Sequence, residues 1–352
     1  MRVHRRGADR RGPKRFAAPA IVRGMASPPT PILVTGANGH LGRGLIARIL
    51  ESDPRFAAGG LRAVVRSSSA AARVTAVGRD LDVRIVDYLD EPALARAADG
   101  CRAIAHFVGI IKETKDARYE DAHEHTCDVL ARAARRAGVE RIVHLSILGS
   151  RADSANPCLA SKGRAEEILL AGAVPVCVLR VPMVLGPDDY ASYSLRKQAT
   201  SRLLFLPGGG RTLQQPIDAA DVLRAVISAL GVGTADAVRE PIRAALDLGG
   251  PECLSHRALV ERAAALWNRK PWIVPIPVGP LRAGIGLLER ALPSPPMTRA
   301  MFDVLQHDDR VDPAPACKRL DLTLTPLDET LRCYVLGALG VPGRTGPETD
   351  PR

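Results

Sequence analysis

Short apolar runs alternate with amphipathic stretches along most of this chain. Ile32-Leu33-Val34 is the first run, and from His40 to about Leu50 apolar residues recur at helical spacing. Leu61 to Arg66, Val83 to Asp87, Arg102 to Gly109, Val139 to Ser146 and Val176 to Val181 read as further strands. A long helix from about Tyr119 to Ala137 precedes the fifth strand. Such alternation predicts an α/β fold, a doubly wound parallel sheet with helices on both faces. Beyond residue 183 the pattern thins. Gln215 to Asp218 reads as a short strand before a helix capped by Asp221, Ala244 to Gly250 as a strand and turn, and Ser255 to Trp267 as an amphipathic helix. Ile273 to Val278 is another extended piece, and Leu281 to Leu292 and Met297 to Leu305 are apolar helices suited to core or subunit contacts. Segments of about 183–218 and 240–335 therefore predict a smaller C-terminal α/β lobe, a lid over the site that sets substrate choice.

The chemistry starts where the first strand meets the first helix. Gly36, Gly39 and Gly42 occupy the spacing of a dinucleotide turn: one glycine for the tight bend, one for close approach of a pyrophosphate, one for packing helix on strand. The helix N-terminus then offers free amides and a positive dipole end to the diphosphate. Asn38, His40 and Leu41 complete that turn, His40 as a loop side chain. Ligands of such sheets bind beyond the carboxyl ends of the strands, where Arg66, Asp87, Gly109 and Ser146 all fall. A carboxylate ending the second strand would bind a ribose 2′-hydroxyl; Arg66 instead suits a 2′-phosphate, which favours NADP(H), with NAD(H) the alternative. Asp87 and Tyr88 are expected to border the adenine, and Phe107, Val108 and Gly109 to pass close to the cofactor.

Composition alters this picture little. The 352 residues are 46% hydrophobic, and the net charge of +11 is concentrated in the first thirty residues, which hold eight Arg or Lys and one Asp. With 3% aromatic residues, none clustered for base stacking, and a net charge of only +4 beyond residue 30, nucleic-acid binding is not expected. The longest apolar stretch, Leu169 to Leu179, is broken by Pro175, so no segment resembles a membrane span and any membrane association is peripheral. Seven scattered cysteines with no Cys-x-x-Cys pair read as reduced thiols of a cytoplasmic-type compartment. The histidines show no metal spacing, and no metal is assigned. Residues 1–30 lack periodicity and read as a disordered basic extension: a tail, an organelle-import sequence, or translation set upstream of a start at Met25, the last being favoured. The body is residues 31–340, and 341–352 reads as a disordered tail.

Together, Thr35 to Gly42, Arg66, Asp87, Gly109, Ser146 and Lys162 resemble the extended short-chain dehydrogenase/reductase superfamily, with its Rossmann-like fold. Ala134 to Ser146, Ser161 to Glu167, Leu179 to Pro187 and Leu206 to Asp218 are similar to its atypical branch, which includes the nucleotide-binding accessory subunit of respiratory complex I and bacterial relatives. The resemblance covers residues 31 to about 335. It implies an NAD(P)-binding protein, and docking on a larger respiratory-type assembly as a partner. Enzymes of the superfamily carry Tyr-x-x-x-Lys after the fifth strand, the tyrosine passing a proton to the substrate carbonyl and the lysine holding the nicotinamide ribose. Here Lys162 is present and Cys158 stands at the tyrosine position. Cys158 is thus either a weak acid or a packing residue near the cofactor. Ser146 or Ser150 would supply the catalytic hydroxyl, His123 a structural water bridge, Pro182 a nicotinamide contact, and Tyr190 a replacement phenol or a plain loop tyrosine. The missing phenol favours nucleotide binding as a structural or sensing role, with weak or specialised redox activity. The alternative is an active NADPH-dependent reductase of a small or isoprenoid-like carbonyl; a sugar-nucleotide epimerase needs the same tyrosine and ranks last.

Overall fold

In the computed structural model residues 29–337 are described, apart from 58, 79, 233–239 and 293. The basic extension, except its last two residues, and the tail at 341–352 lie outside the described residues. The main body runs β1 (Ile32–Thr35), α1 (His40–Ser52), β2 (Leu61–Val65), α2 (Ser68–Thr75), β3 (Asp82–Ile85), α3 (Glu91–Ala98), β4 (Ala103–His106), α4 (Thr126–Arg136), β5 (Arg141–Ile147), α5 (Pro157–Ala171) and β6 (Val176–Val181). After it come β7 (Val184–Leu185), α6 (Tyr190–Thr200), β8 (Leu203–Pro207), β9 (Leu213–Gln214), β10 (Ile217–Asp218), α7 (Ala219–Leu230) and β11 (Ala244–Asp247). The chain then forms β12 (Leu254–Ser255), α8 (His256–Ala265), β13 (Trp272–Ile276), α9 (Val278–Ala291) and α10 (Arg299–Leu305).

Seven strands form one parallel sheet in the order β11-β6-β5-β4-β1-β2-β3. The doubly wound α/β fold is therefore the observed one. Alternate residues of each strand feed two cores: Ile32 and Val34 face α1 and α7, whereas Leu33 faces α3 and α4. Strands buried on both faces must be apolar throughout, and this made them legible as continuous runs. The order in which strands are added reverses between β1 and β4, and the crevice at that switch point lies beside the glycine turn.

The lobe has its own apolar cluster, in which Leu195, Leu204, Leu206, Leu259 and Leu331 meet. Three expectations need correction. The strand at 244–247 is no part of a lid; it pairs with β6 and extends the main sheet, because its apolar residues find an open edge there. The helix α7 is capped by Asp218, whose carboxylate accepts the Ala220 amide at 2.8 Å. Asp221 sits inside the helix and instead holds the 321–326 loop, accepting Thr325 N at 2.7 Å and Thr325 Oγ1 at 2.8 Å while pairing with Arg224. The expected helix at 119–137 opens with a wider π-turn over Glu120–His125, where an extra residue per turn shifts the side chains before α4 begins.

Asp221 is fully buried. Replacing it by Ala leaves the Thr325 amide without an acceptor, and Asp221→Ala should lower unfolding free energy in urea by about 2–4 kcal/mol.

Candidate functional site

The glycine turn is held from below. Tyr88, buried, receives a hydrogen bond from Gly36 N at 2.8 Å and donates its hydroxyl to Val64 O at 2.9 Å. Burial pushes its phenol up to about 12, so it remains a neutral linker. Tyr88 therefore braces the turn and is no wall of an adenine pocket; its ring had to be buried for its hydroxyl to reach the Gly36 amide. Gly36 has a φ of +68°, and a Cβ there would lie 2.8 Å from the Phe107 carbonyl carbon. A Cβ on Gly42 would lie 2.5 Å from Gly36 O. Both positions exclude any side chain, and the segment after β4 therefore runs directly against the turn. Unlike α2, α3 and α5, which Ser67, Asp90 and Asn156 cap, α1 has no side-chain cap at Gly39. Its first-turn amides remain open to an anion.

Around this turn Arg43 donates to Asn38 O at 2.6 Å, Leu41 packs on the core, and His40 stands exposed near Asp188 and Asp189. Arg66 is exposed at the end of β2, close enough to Tyr88 to favour its phenolate. Asp87 is also exposed and accepts the Leu89 amide at 3.0 Å. Phe107 and Val108 pack on opposite sides of the sheet, and Pro182 is buried after β6.

At the other end of the crevice lies Lys162, buried to 6% exposure with no ion-pair partner among the described residues. A Cβ on Gly109 would lie 3.0 Å from its Nζ, so the glycine makes room for this ammonium. Burial lowers the Lys162 pKa, while the Cys158 and Cys127 thiols and Glu166 oppose that fall. Cys158, one helical turn earlier, is wholly buried; its Sγ lies 3.8 Å from Ile110 O, and burial raises its pKa. Ser146 is turned away from this group. Its hydroxyl donates to the buried Glu166 carboxylate at 2.5 Å, and Glu166 pairs with Arg180. Ser150 lies 3.3 Å from Ser146 in the same network. Tyr190 is 69% exposed at the start of α6 and is not placed as a phenol for the site.

The residue that spacing did not reveal is Tyr119. It is 5% exposed, donates its hydroxyl to Ile111 O at 2.6 Å, and lies near the Cys158 thiol. Its ring stacks on His123 at 5.7 Å, and His123 Nε2 holds the Ile110 amide at 3.1 Å. The only earlier signal was a tyrosine at the mouth of a long helix. Thr298, the cap of α10, lies against the same phenol.

His106, Cys127 and His144 also converge, their donor atoms lying within 4.8 Å of one another. Adjacent strands place the two histidines opposite each other, a proximity that sequence spacing hides. All three are buried; the thiol is raised to about 12 and His106 lowered to about 3, with the Lys162 ammonium adding to the latter effect. A thiol that keeps its proton and the Lys162 ammonium nearby suit a packed polar cluster better than a divalent ion.

A family model described as NAD(P)H-binding matches residues 36–230, more than half of the chain. The chain belongs to the NAD(P)H-binding family, within the atypical short-chain dehydrogenase/reductase superfamily. It is 27% identical over 254 residues to the mitochondrial NADH dehydrogenase [ubiquinone] 1 alpha subcomplex subunit 9 of Arabidopsis thaliana, covering 69% of this chain and 60% of that protein. It is 30% identical over 166 residues to the ceramide reductase of Caulobacter vibrioides, covering 47% of this chain and 49% of that protein. The matches thus span roughly half to three-fifths of these relatives. The structure of the Bordetella bronchiseptica enzyme WbmG in complex with NAD superposes with a TM-score of 0.64 at 18% identity, covering 90% of this chain and 95% of that one. This likeness is one of fold. A nicotinamide dinucleotide is the cofactor class of this family member, and no helix among the described residues is long and apolar enough to cross a membrane.

Burial gives the site a pH signature. His106 and His123 both fall to about 3 from an ordinary 6.5, chiefly through desolvation of their charged forms. Their folded pKa values lie below the unfolded ones, so their contribution to stability is complete above pH 6.5 and is lost as pH falls towards 3. Urea unfolding should show stability declining by about 1.4 kcal/mol per pH unit for each histidine across that window. His123→Asn should reduce the slope by the share of one group.

Proposed function

We propose that the chain binds NADP(H) in the crevice between the uncapped α1 terminus and Lys162, with Gly36, Asn38, Gly39, His40, Leu41 and Gly42 at the diphosphate. Phe107, Val108, Gly109 and Pro182 would line the nicotinamide end, Arg66 would take the 2′-phosphate, and Asp87 would lie beside the adenosine. The observation that carries this reading is the buried, unpaired Lys162 ammonium beneath Gly109. A buried charge without a partner is costly, and ribose hydroxyls at that point would relieve it. The bound nucleotide supplies hydride chemistry.

Tyr119 favours a catalytic role over a purely structural one. It brings a phenol to the Cys158 thiol, beside the lysine, from a different helix than the superfamily pattern uses. Burial raises this phenol's pKa, so it keeps its proton near neutrality and can still give it to an alkoxide, a far stronger base. Lys162 would orient the nucleotide, Cys158 would pack against the donor, and Ser146 would stay structural. A lipophilic carbonyl is the proposed substrate class, supported by the ceramide reductase among the relatives. The plant subunit supports the alternative, in which the nucleotide-loaded chain docks on a respiratory-type assembly in an organelle or at a membrane.

Calorimetry should show Arg66→Ala losing about ten- to a hundredfold in NADPH affinity, the scale of charge-assisted hydrogen bonds, with NADH affinity nearly unchanged. Equal losses would defeat the 2′-phosphate assignment. Over a panel of quinones and long-chain ketones, Tyr119→Phe should cut NADPH oxidation about a hundredfold while NADPH affinity holds. An unchanged rate would remove Tyr119 from the chemistry, and no turnover by the unaltered chain on any panel member would favour the docking role.

A further inference from the structure

In the lobe β8 and β13 pair as a two-stranded parallel sheet that is apolar on both faces. Leu204, Leu206 and Ile273 turn inwards to the lobe core. Leu203, Phe205, Trp272 and Val274 turn outwards, at 50, 57, 79 and 37% exposure, and the register sets Trp272 beside Leu203 and Val274 beside Phe205. This is one contiguous apolar face with a tryptophan at its edge, and a solvated sheet face normally carries polar residues there. The two stretches of chain that build it carry cations and no acids in sequence, although Arg262 is paired with Glu252 and Asp328 and Arg282 with Asp303. No Asp or Glu occurs between Asp189 and Asp218, where Arg196, Lys197, Arg202 and Arg211 stand; none occurs between Glu261 and Glu289, where Arg262, Arg269, Lys270 and Arg282 stand. Arg202 and Lys270 flank the face directly, are exposed, and have no carboxylate partner among the described residues.

We propose that this face docks on the surface of an anionic phospholipid bilayer, with Trp272, Phe205 and Leu203 entering the headgroup boundary and Arg202, Arg269 and Lys270 meeting lipid phosphates. Apolar insertion and basic attraction together form the two signals that stable peripheral binding requires. Charge also argues against a second copy of this chain as the occupant. A two-fold pairing across the face would bring Arg202 and Lys270, which hold no carboxylate of their own among the described residues, towards their own copies. The inference stands apart from the nucleotide reading, since none of these residues belongs to the crevice.

Vesicle flotation of the full chain tests it, with phosphatidylcholine alone compared against phosphatidylcholine mixed with phosphatidylglycerol. The chain should float with the anionic vesicles, bind the neutral ones at least about tenfold more weakly, and be released by salt. Tryptophan emission should shift to the blue on binding, and Trp272→Phe should abolish that shift. Phe205→Glu and the pair Arg202→Glu with Lys270→Glu should each reduce anionic-vesicle binding about tenfold or more, while NADPH affinity shows that the variants remain folded. Flotation unaffected by these changes would overturn the proposal, because binding would then reside elsewhere, the basic extension included. No flotation would overturn it too, as would a solution dimer that Phe205→Glu converts to monomer, since a second copy would then be the occupant.

Discussion

A single backbone amide fixes the geometry of the crevice. Gly36 N points into the protein, where Tyr88 accepts its hydrogen bond and donates its own hydroxyl hydrogen bond to Val64 O, so one phenol joins the turn after β1 to β2 and to the segment after β3. The φ of +68° at Gly36 and its contact with the Phe107 carbonyl bring the segment after β4 against the same turn. Four carboxyl ends are thereby held within one small volume before any ligand arrives. The amides of α1 then face the crevice without a cap from their own segment: Gly39 has no side chain and the first turn of the helix has no acid. Preorganisation of this kind reduces what binding must spend on ordering.

Electrostatics at the far end follow from burial. Lys162 is placed among groups that cannot easily become cations, since His106, His123 and His144 are all depressed by desolvation and by the ammonium itself. The thiols Cys127 and Cys158 are raised and stay protonated. The buried carboxylate of this region, Glu166, is committed to Arg180 and Ser146 one turn beyond. Lys162 thus faces Gly109 amid neutral donors, while Ser146 and Arg180 hold the nearby buried Glu166 carboxylate in a network of its own.

The strands of the sheet and the glycine turn were legible because burial on both faces demands uninterrupted apolar runs and because a pyrophosphate demands glycine at fixed spacing. The edge strand β11 was harder to place, since Ala244 to Asp247 carries only a half-buried pattern and its partner lies more than sixty residues earlier. The cap of α7 was read three residues late because Asp218 and Asp221 both suit a helix start, and only the fold shows which one faces Thr325. Tyr119 was missed for a different reason. Its role depends on α4 crossing α5 so that residue 119 meets residue 158, and no local period encodes that meeting. The same holds for His106 and His144, which become neighbours only through the pairing of β4 with β5.

Access to Tyr119 imposes a further constraint on chemistry. The phenol is 5% exposed, and Thr298 at the start of α10 lies against it. The start of α10 and the segment before it are tied to the body by Asn156 Nδ2 donating to Ala300 O at 2.8 Å and by Lys112 Nζ donating to Pro295 O at 3.1 Å. On the proposed reductase reading, a carbonyl compound reaching the phenol would have to shift the start of α10, and net hydrogen-bond contributions of about 1 kcal/mol each put the polar cost at a few kcal/mol, within what burial of a lipophilic chain can offset. On that same reading a small polar substrate would bring no such surface to bury, which is the physical argument for proposing a long apolar one.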